Sequence, residues 1–181
     1  MLTRCWQVPL LIVLSSCACH AQERLVFEEF ESVDAWPGFE LSQDVAHSGK
    51  TSALWRDHVG TPSVISEQIP HDWSEWSAFT FWVHNERVLP TAFTCIITSE
   101  NPATDGGDYW SVRVPLDFIG WKMFGTLIRG NAGTRSPRGW DQVDSIRFTA
   151  SGWDNEPHPE AVVHIDQLEL RDDIGGEGPL L

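Results

Sequence analysis

The 181-residue sequence is poor in several things, and each shortage closes off a class of function. Basic residues are scarce: 12 Lys and Arg face 26 Asp and Glu, for a formal net charge of -14. A protein that reads nucleic acid by neutralising phosphates needs a basic stripe, and this chain has none. The same deficit argues against docking on an anionic membrane surface. Of four cysteines, Cys5, Cys17 and Cys19 fall in the first 21 residues, leaving Cys95 alone beyond them. The folded domain therefore has no internal disulfide. Cys95 sits in the apolar run FTCII and reads as a small buried hydrophobe. Beyond residue 21 no run approaches the ~18 apolar residues of a membrane-spanning helix. The sequence has a single Tyr and no G-x-S-x-G, H-E-x-x-H, P-loop or dinucleotide fingerprint.

What is abundant is aromatic. Ten Trp and nine Phe, with 41% apolar residues, supply enough apolar surface to offset the entropy of folding and exclude disorder. The length fits one domain. Ten tryptophans exceed the ordinary need of such a core, so some are expected at a surface. The first residues are an address: in Met1 to Ala21, Arg4 precedes an apolar stretch from Val8 to Leu14, followed by small residues. This is the pattern of a secretory signal peptide. Two processing routes are open. Leu14-Ser15-Ser16-Cys17 resembles a bacterial lipobox, which would make Cys17 a lipid anchor to the cell envelope. Cleavage after Ala21 would instead leave a soluble chain beginning at Gln22. Both predict export, to the outside, the periplasm or the envelope.

From Gln22 onward the apolar period is two. In 78–85 (AFTFWVHN), Phe79, Phe81 and Val83 share one side and Thr80, Trp82 and His84 the other. Similar runs occupy 24–28, 52–56, 63–68, 92–98, 109–114, 121–128, 145–150 and 161–170, separated by turn clusters such as HSGK, VGTP and NPATDGGD. No amphipathic helix competes. The pattern predicts an all-β fold, an antiparallel β-sandwich of jelly-roll type over residues 22–171. The Gly/Pro-containing stretch 172–181 reads as a flexible tail.

The order of motifs resembles a family. FEEFESVDAW (27–36), HSGKTSALW (47–55), FTFWVHNE (79–86) and AVVHIDQLEL (161–170) together look like the galactose-binding-like β-sandwich of carbohydrate-binding modules. The stretch 99–153 is similar to non-catalytic modules found beside heparinase-II/III-like polysaccharide lyases. The resemblance implies non-catalytic binding of a polysaccharide, as an accessory to its degradation. It also implies a structural calcium ion where the first and last strands meet. The ligands carried over are Glu29, Glu31, the carbonyl of Lys50, and Asp166. Carboxylate and carbonyl oxygens suit a hard cation, and two carboxylates on one side of a strand repel without one. The plain alternative is a solvated acidic edge that prevents sheet pairing.

Sugar binding needs a flat aromatic surface against pyranose C–H groups and polar groups that reach the hydroxyls. Two placements are open. Alternation turns Trp82, His84, Arg113 and Arg147 away from the Phe/Val side, and a sheet face carrying all four would hold a uronic-acid chain through bidentate Arg–carboxylate pairs. Otherwise this face is covered, with Trp82 in a second core and the arginines paired to Glu86 or Glu100. The second placement is the loop tips, where Trp36, Tyr109, Trp110 and Trp153 sit at turn-to-strand boundaries near Asn101, Asp108 and Asn155. Trp55, Trp121 and Trp140 read as core. No catalytic set stands out, because 26 acids allow many carboxyl pairs and spacing selects none. A protein-interaction or envelope-structural module on the same fold is the alternative function, and a lyase or glycoside hydrolase the third.

Overall fold

A computed structural model describes residues 24–172. The signal segment with Cys17, and residues 173–181 of the tail, lie outside the described residues. Ten strands form: β1 (Arg24–Glu28), β2 (Glu40–Ser42), β3 (Ser52–Trp55), β4 (Ser63–Ser66), β5 (Ala78–Asn85), β6 (Ala92–Thr98), β7 (Tyr109–Pro115), β8 (Gly120–Leu127), β9 (Ser145–Thr149) and β10 (Val163–Arg171). Every run with a two-residue period became a strand. Only β2 lacks a sequence signal, since three residues cannot display an alternation.

The strands build two antiparallel sheets. One has the order β2-β3-β10-β5-β8 with β1 also on β10; the other has the order β4-β9-β6-β7. Strand β10 is the pivot of the larger sheet. It pairs with β5 along its length, while its other edge is shared: β3 takes residues 163–165 and β1 takes residues 168–171. The handover falls at a bulge between Asp166 and Glu169, where Gln167 has a φ of 50°. One extra residue there keeps Ile165, Leu168 and Leu170 all facing the core.

The inner faces meet over an aromatic core. Phe30, Trp36, Phe39, Trp55, Phe79, Phe81, Phe93 and Phe148 are all buried and pack ring against ring. Each large ring removes roughly 150–250 Å² from water, on the order of 4–6 kcal/mol gross before entropy is counted. Three fully buried indole N–H groups find acceptors, Trp36 on Glu28 Oε2 (2.8 Å), Trp55 on the Thr61 carbonyl (2.9 Å) and Trp73 on the Pro70 carbonyl (2.7 Å), whereas the buried Nε1 of Trp140 has none. Trp110 stacks on Trp140 at 3.7 Å, and Trp140 on Trp73 at 5.8 Å. Most of the tryptophan excess therefore lies inside or against the core. Cys95 is buried as expected, and burial raises its thiol pKa.

Candidate functional site

Trp82, His84, Arg113 and Arg147 all point outward, but on two different sheets. Trp82 and His84 belong to β5 in the larger sheet; Arg113 on β7 and Arg147 on β9 belong to the smaller one. The single face carrying all four does not exist. Periodicity tells which side of a strand a residue occupies, not which sheet the strand joins.

The outer face of the larger sheet is a packed layer. Trp82 is capped by the His47 imidazole, with ring centroids 3.9 Å apart and planes 17° from parallel. His84 meets Trp121 and His164 edge to face at 5.3 and 5.6 Å. His164 is buried, its Nδ1 is 3.1 Å from Ser52 Oγ, and its Nε2 lies 3.6 Å from Glu86. Burial is the first cause of the lowered pKa of both His84 and His164. Trp82 is thus in a second, outer core, and Trp121 joins it there.

Two of the carboxylates expected to bind calcium, Asp166 and Glu31, accept backbone N–H groups of the 47–50 turn. Asp166 is fully buried, and its Oδ2 accepts the backbone N–H groups of His47 (2.8 Å) and Ser48 (3.0 Å) while Oδ1 accepts that of Gln167 (2.8 Å). Burial raises its pKa against these N–H bonds, which lower it. Glu31 accepts the Lys50 N–H at 2.7 Å, so Lys50 faces it with a donor rather than a carbonyl. Glu29 is exposed, and Glu28 turns inward to bind the Phe30 N–H and the Trp36 indole. Among the described residues no group of three or more carboxylates and histidines converges as a metal site. Backbone N–H groups thus already stabilise the Asp166 and Glu31 carboxylates within the chain.

The loop-tip residues divide as well. Trp36 is fully buried and Trp110 is 3% exposed, so neither is a rim residue. The parity that turns Arg113 outward places Trp110 inward with Val112 and Val114; Trp36 folds back from its turn into the Phe30, Phe39 and Phe148 cluster. Asp108 and Asn155 are internal fasteners, binding Ser136 N–H and Thr94 Oγ1 respectively, and Asn101 holds the Ser136 carbonyl.

Trp153 and Tyr109 remain at the surface. Trp153 is 40% exposed, and its Nε1–H donates to Tyr109 Oη at 2.8 Å, with the rings edge to face at 5.6 Å. The indole N–H is thereby satisfied and the ring orientation fixed. Trp153 and Asp154 have φ of 52° and 61°, and Asn155 N–H donates to the Gly152 carbonyl at 2.9 Å. This is the signature of a type I′ turn, whose central positions favour Asn and Gly. A tryptophan there carries about 1 kcal/mol or more of backbone strain. The turn lies across the outer face of the smaller sheet, tied down by Asn155 on Thr94 and Trp153 on Tyr109.

The outward positions of that sheet are, row by row, Ser145, Thr98 and Tyr109; Ile65, Arg147, Ile96 and Ser111; Ser63, Thr149, Thr94 and Arg113, of which Ser145, Ile96, Thr149 and Thr94 are buried. Arg113 also lines a groove of about 290 Å³ with Pro90, Thr91, Asp154, Glu156 and His158. Chemically, the exposed part of this surface offers a fixed aromatic edge, the Ser63 and Ser111 hydroxyls and two guanidinium groups. Arg113 and Arg147 share their sheet with Tyr109 and not with Trp82 and His84. The signal that was present, Gly-Trp-Asp-Asn placing Trp in a glycine-type turn, is a local strain argument.

The architecture is an antiparallel β-sandwich of two sheets. No family model matches the sequence, and no curated protein matches it. Solved structures do. The family 11 carbohydrate-binding module of the cellulosomal cellulase Lic26A-Cel5E of Clostridium thermocellum is 17% identical, with a TM-score of 0.55, covering 89% of this chain and 98% of that one. A family 16 carbohydrate-binding module is 9% identical, with a TM-score of 0.51 over 75% of this chain and 89% of that one. An exo-β-agarase is 12% identical at a TM-score of 0.55; 84% of this chain matches 25% of that enzyme. At these identities the likeness is one of fold, and the expected all-β sandwich is the fold observed.

Proposed function

We propose that the protein is a non-catalytic polysaccharide-binding module whose glycan lies across the outer face of the smaller sheet. One observation carries the reading: Trp153 is held half in solvent by Tyr109, on a turn whose backbone disfavours it. Strain of this kind persists where a function keeps the residue. The same fold in modules named for carbohydrate binding, one of them solved with a β-1,3-1,4-linked tetrasaccharide, supports the class of ligand. Export through the signal segment would place such a module where polysaccharides are met. Catalysis has less support: the Tyr109 hydroxyl is engaged by Trp153, and Asp166, a carboxyl with a raised pKa, is sealed in the sheet. The reading needs no calcium at the 47–50 turn.

Affinity electrophoresis through gels of mixed-linkage glucan, xylan, agarose and polygalacturonate tests it. Wild type is expected to be retarded by at least one polymer and Trp153→Ala by none, with Trp82→Ala retarded like wild type. Retardation of wild type on none of a broad glycan panel would favour a protein-interaction module.

A further inference from the structure

We infer that the polysaccharide is anionic, and that Arg113 and Arg147 are the residues that select its charge; this rests on the smaller sheet being the binding face. Nine arginines fall within the described residues. Five are within reach of a carboxylate: Arg24 and Arg171 with Glu169, Arg56 with Glu40, Arg87 with Glu160, and Arg138 with Asp144. Two more donate to backbone carbonyls, Arg129 to Glu75 and Arg135 to Gly107. Arg113 and Arg147 are left, with no ion pair or guanidinium hydrogen bond among the described residues. In a chain with 26 acids this is not for want of partners.

Both of these arginines fall on one face. Its outward strand positions carry Ser, Thr, Ile, Tyr and Arg, and no carboxylate. Asp154 and Glu156 line the groove beside Arg113, at the end of the face, and Arg147 lies two strands away on β9. Strands ~4.8 Å apart and ~6.8 Å between same-side residues put the two Cα atoms roughly 12 Å apart. Two forked donors at that spacing, with a fixed indole edge nearby, match repeated negative groups along an oligosaccharide rather than one sugar. The overall charge of -14 repels polyanions, so retention of an acidic glycan must be local.

The test uses isothermal titration at about 50 mM NaCl with polygalacturonate (carboxylated), dextran sulfate (sulfated) and mixed-linkage β-glucan (neutral). Wild type is expected to bind at least one acidic polymer, more weakly as salt rises, and at least tenfold more tightly than the glucan. Arg113→Gln and Arg147→Gln should each weaken acidic binding roughly tenfold and leave the melting temperature unchanged. Which acidic polymer wins separates carboxylate from sulfate. Glucan binding that Trp153→Ala abolishes and the arginine variants do not touch would overturn the anionic assignment while leaving the binding face intact. Binding insensitive to Trp153→Ala and to both arginine variants would overturn the face itself.

Discussion

The two outer faces of the sandwich both carry aromatic and charged groups and use them in opposite ways. On the larger sheet, His47 covers Trp82, Trp121 meets His84, and Glu169 is buried beside Arg171. On the smaller sheet, Trp153 stands 40% exposed on a strained turn, and two arginines face solvent unpaired. A face whose polar groups, His84 Nδ1 excepted, engage one another has little chemistry left to offer. A face that leaves strong donors open and stores strain in its turn has more, and that imbalance is what marks a binding surface.

Paired substitutions break or sharpen this contrast most strongly. Trp82→Ala should cost about 2–3 kcal/mol, less than a fully buried indole, and leave glycan affinity intact. Trp153→Gly should do the reverse. Gly relaxes the positive φ at this position, so the melting temperature is expected to hold or rise, while affinity falls roughly thirtyfold, as for a binding hot spot. Thermal melts and titrations on the same samples check both. A destabilised Trp153→Gly that still binds would reverse the assignment of the two faces.

Most of the fold was legible because period-two alternation is written residue by residue, and strands such as β5, β6 and β7 are long enough to show it. The site was less so. Alternation correctly turned Trp82 and Arg113 outward, yet sheet membership depends on long-range pairing, β10 with β5 and β6 with β9, which no local pattern encodes. Trp36 and Trp110 show the other limit. A turn position does not keep an indole outside when aromatic neighbours offer it burial and a carbonyl or carboxylate takes its N–H.

Acid should weaken the domain through its histidines, two of which are on the outer face of the larger sheet. His58, buried against Trp55 with ring centroids at 4.0 Å, has its pKa lowered by burial to about 4. His84 and His164 are lowered in the same direction. A lowered histidine pKa means the unfolded chain binds more protons between the folded value and about 6.5, so stability falls as pH drops through that window. His58 alone accounts for at most about 3 kcal/mol between pH 7 and pH 4. Denaturant unfolding at pH 7 and pH 5 should show the loss, and His58→Gln should shrink it. Equal stability at the two pH values would mean these rings are not held neutral in the fold.

The smallest expected effect concerns the 47–50 turn, which joins the strands of the larger sheet. If calcium held it, EDTA would lower the melting temperature and added calcium would restore it by several degrees. Asp166 instead accepts three backbone N–H groups and Glu31 a fourth, so the turn is already closed by hydrogen bonds within the chain. Melts in EDTA and in millimolar calcium should agree within about 1 °C, against the ~2.7 kcal/mol that a ligand at a hundred times its Kd contributes. Asp166→Asn separates the two accounts further. The amide keeps one acceptor oxygen and puts a donor against N–H groups, so it should destabilise equally in EDTA and in calcium. A calcium ligand would lose its effect once the ion is removed, because the carboxylate's stabilisation would leave with the metal.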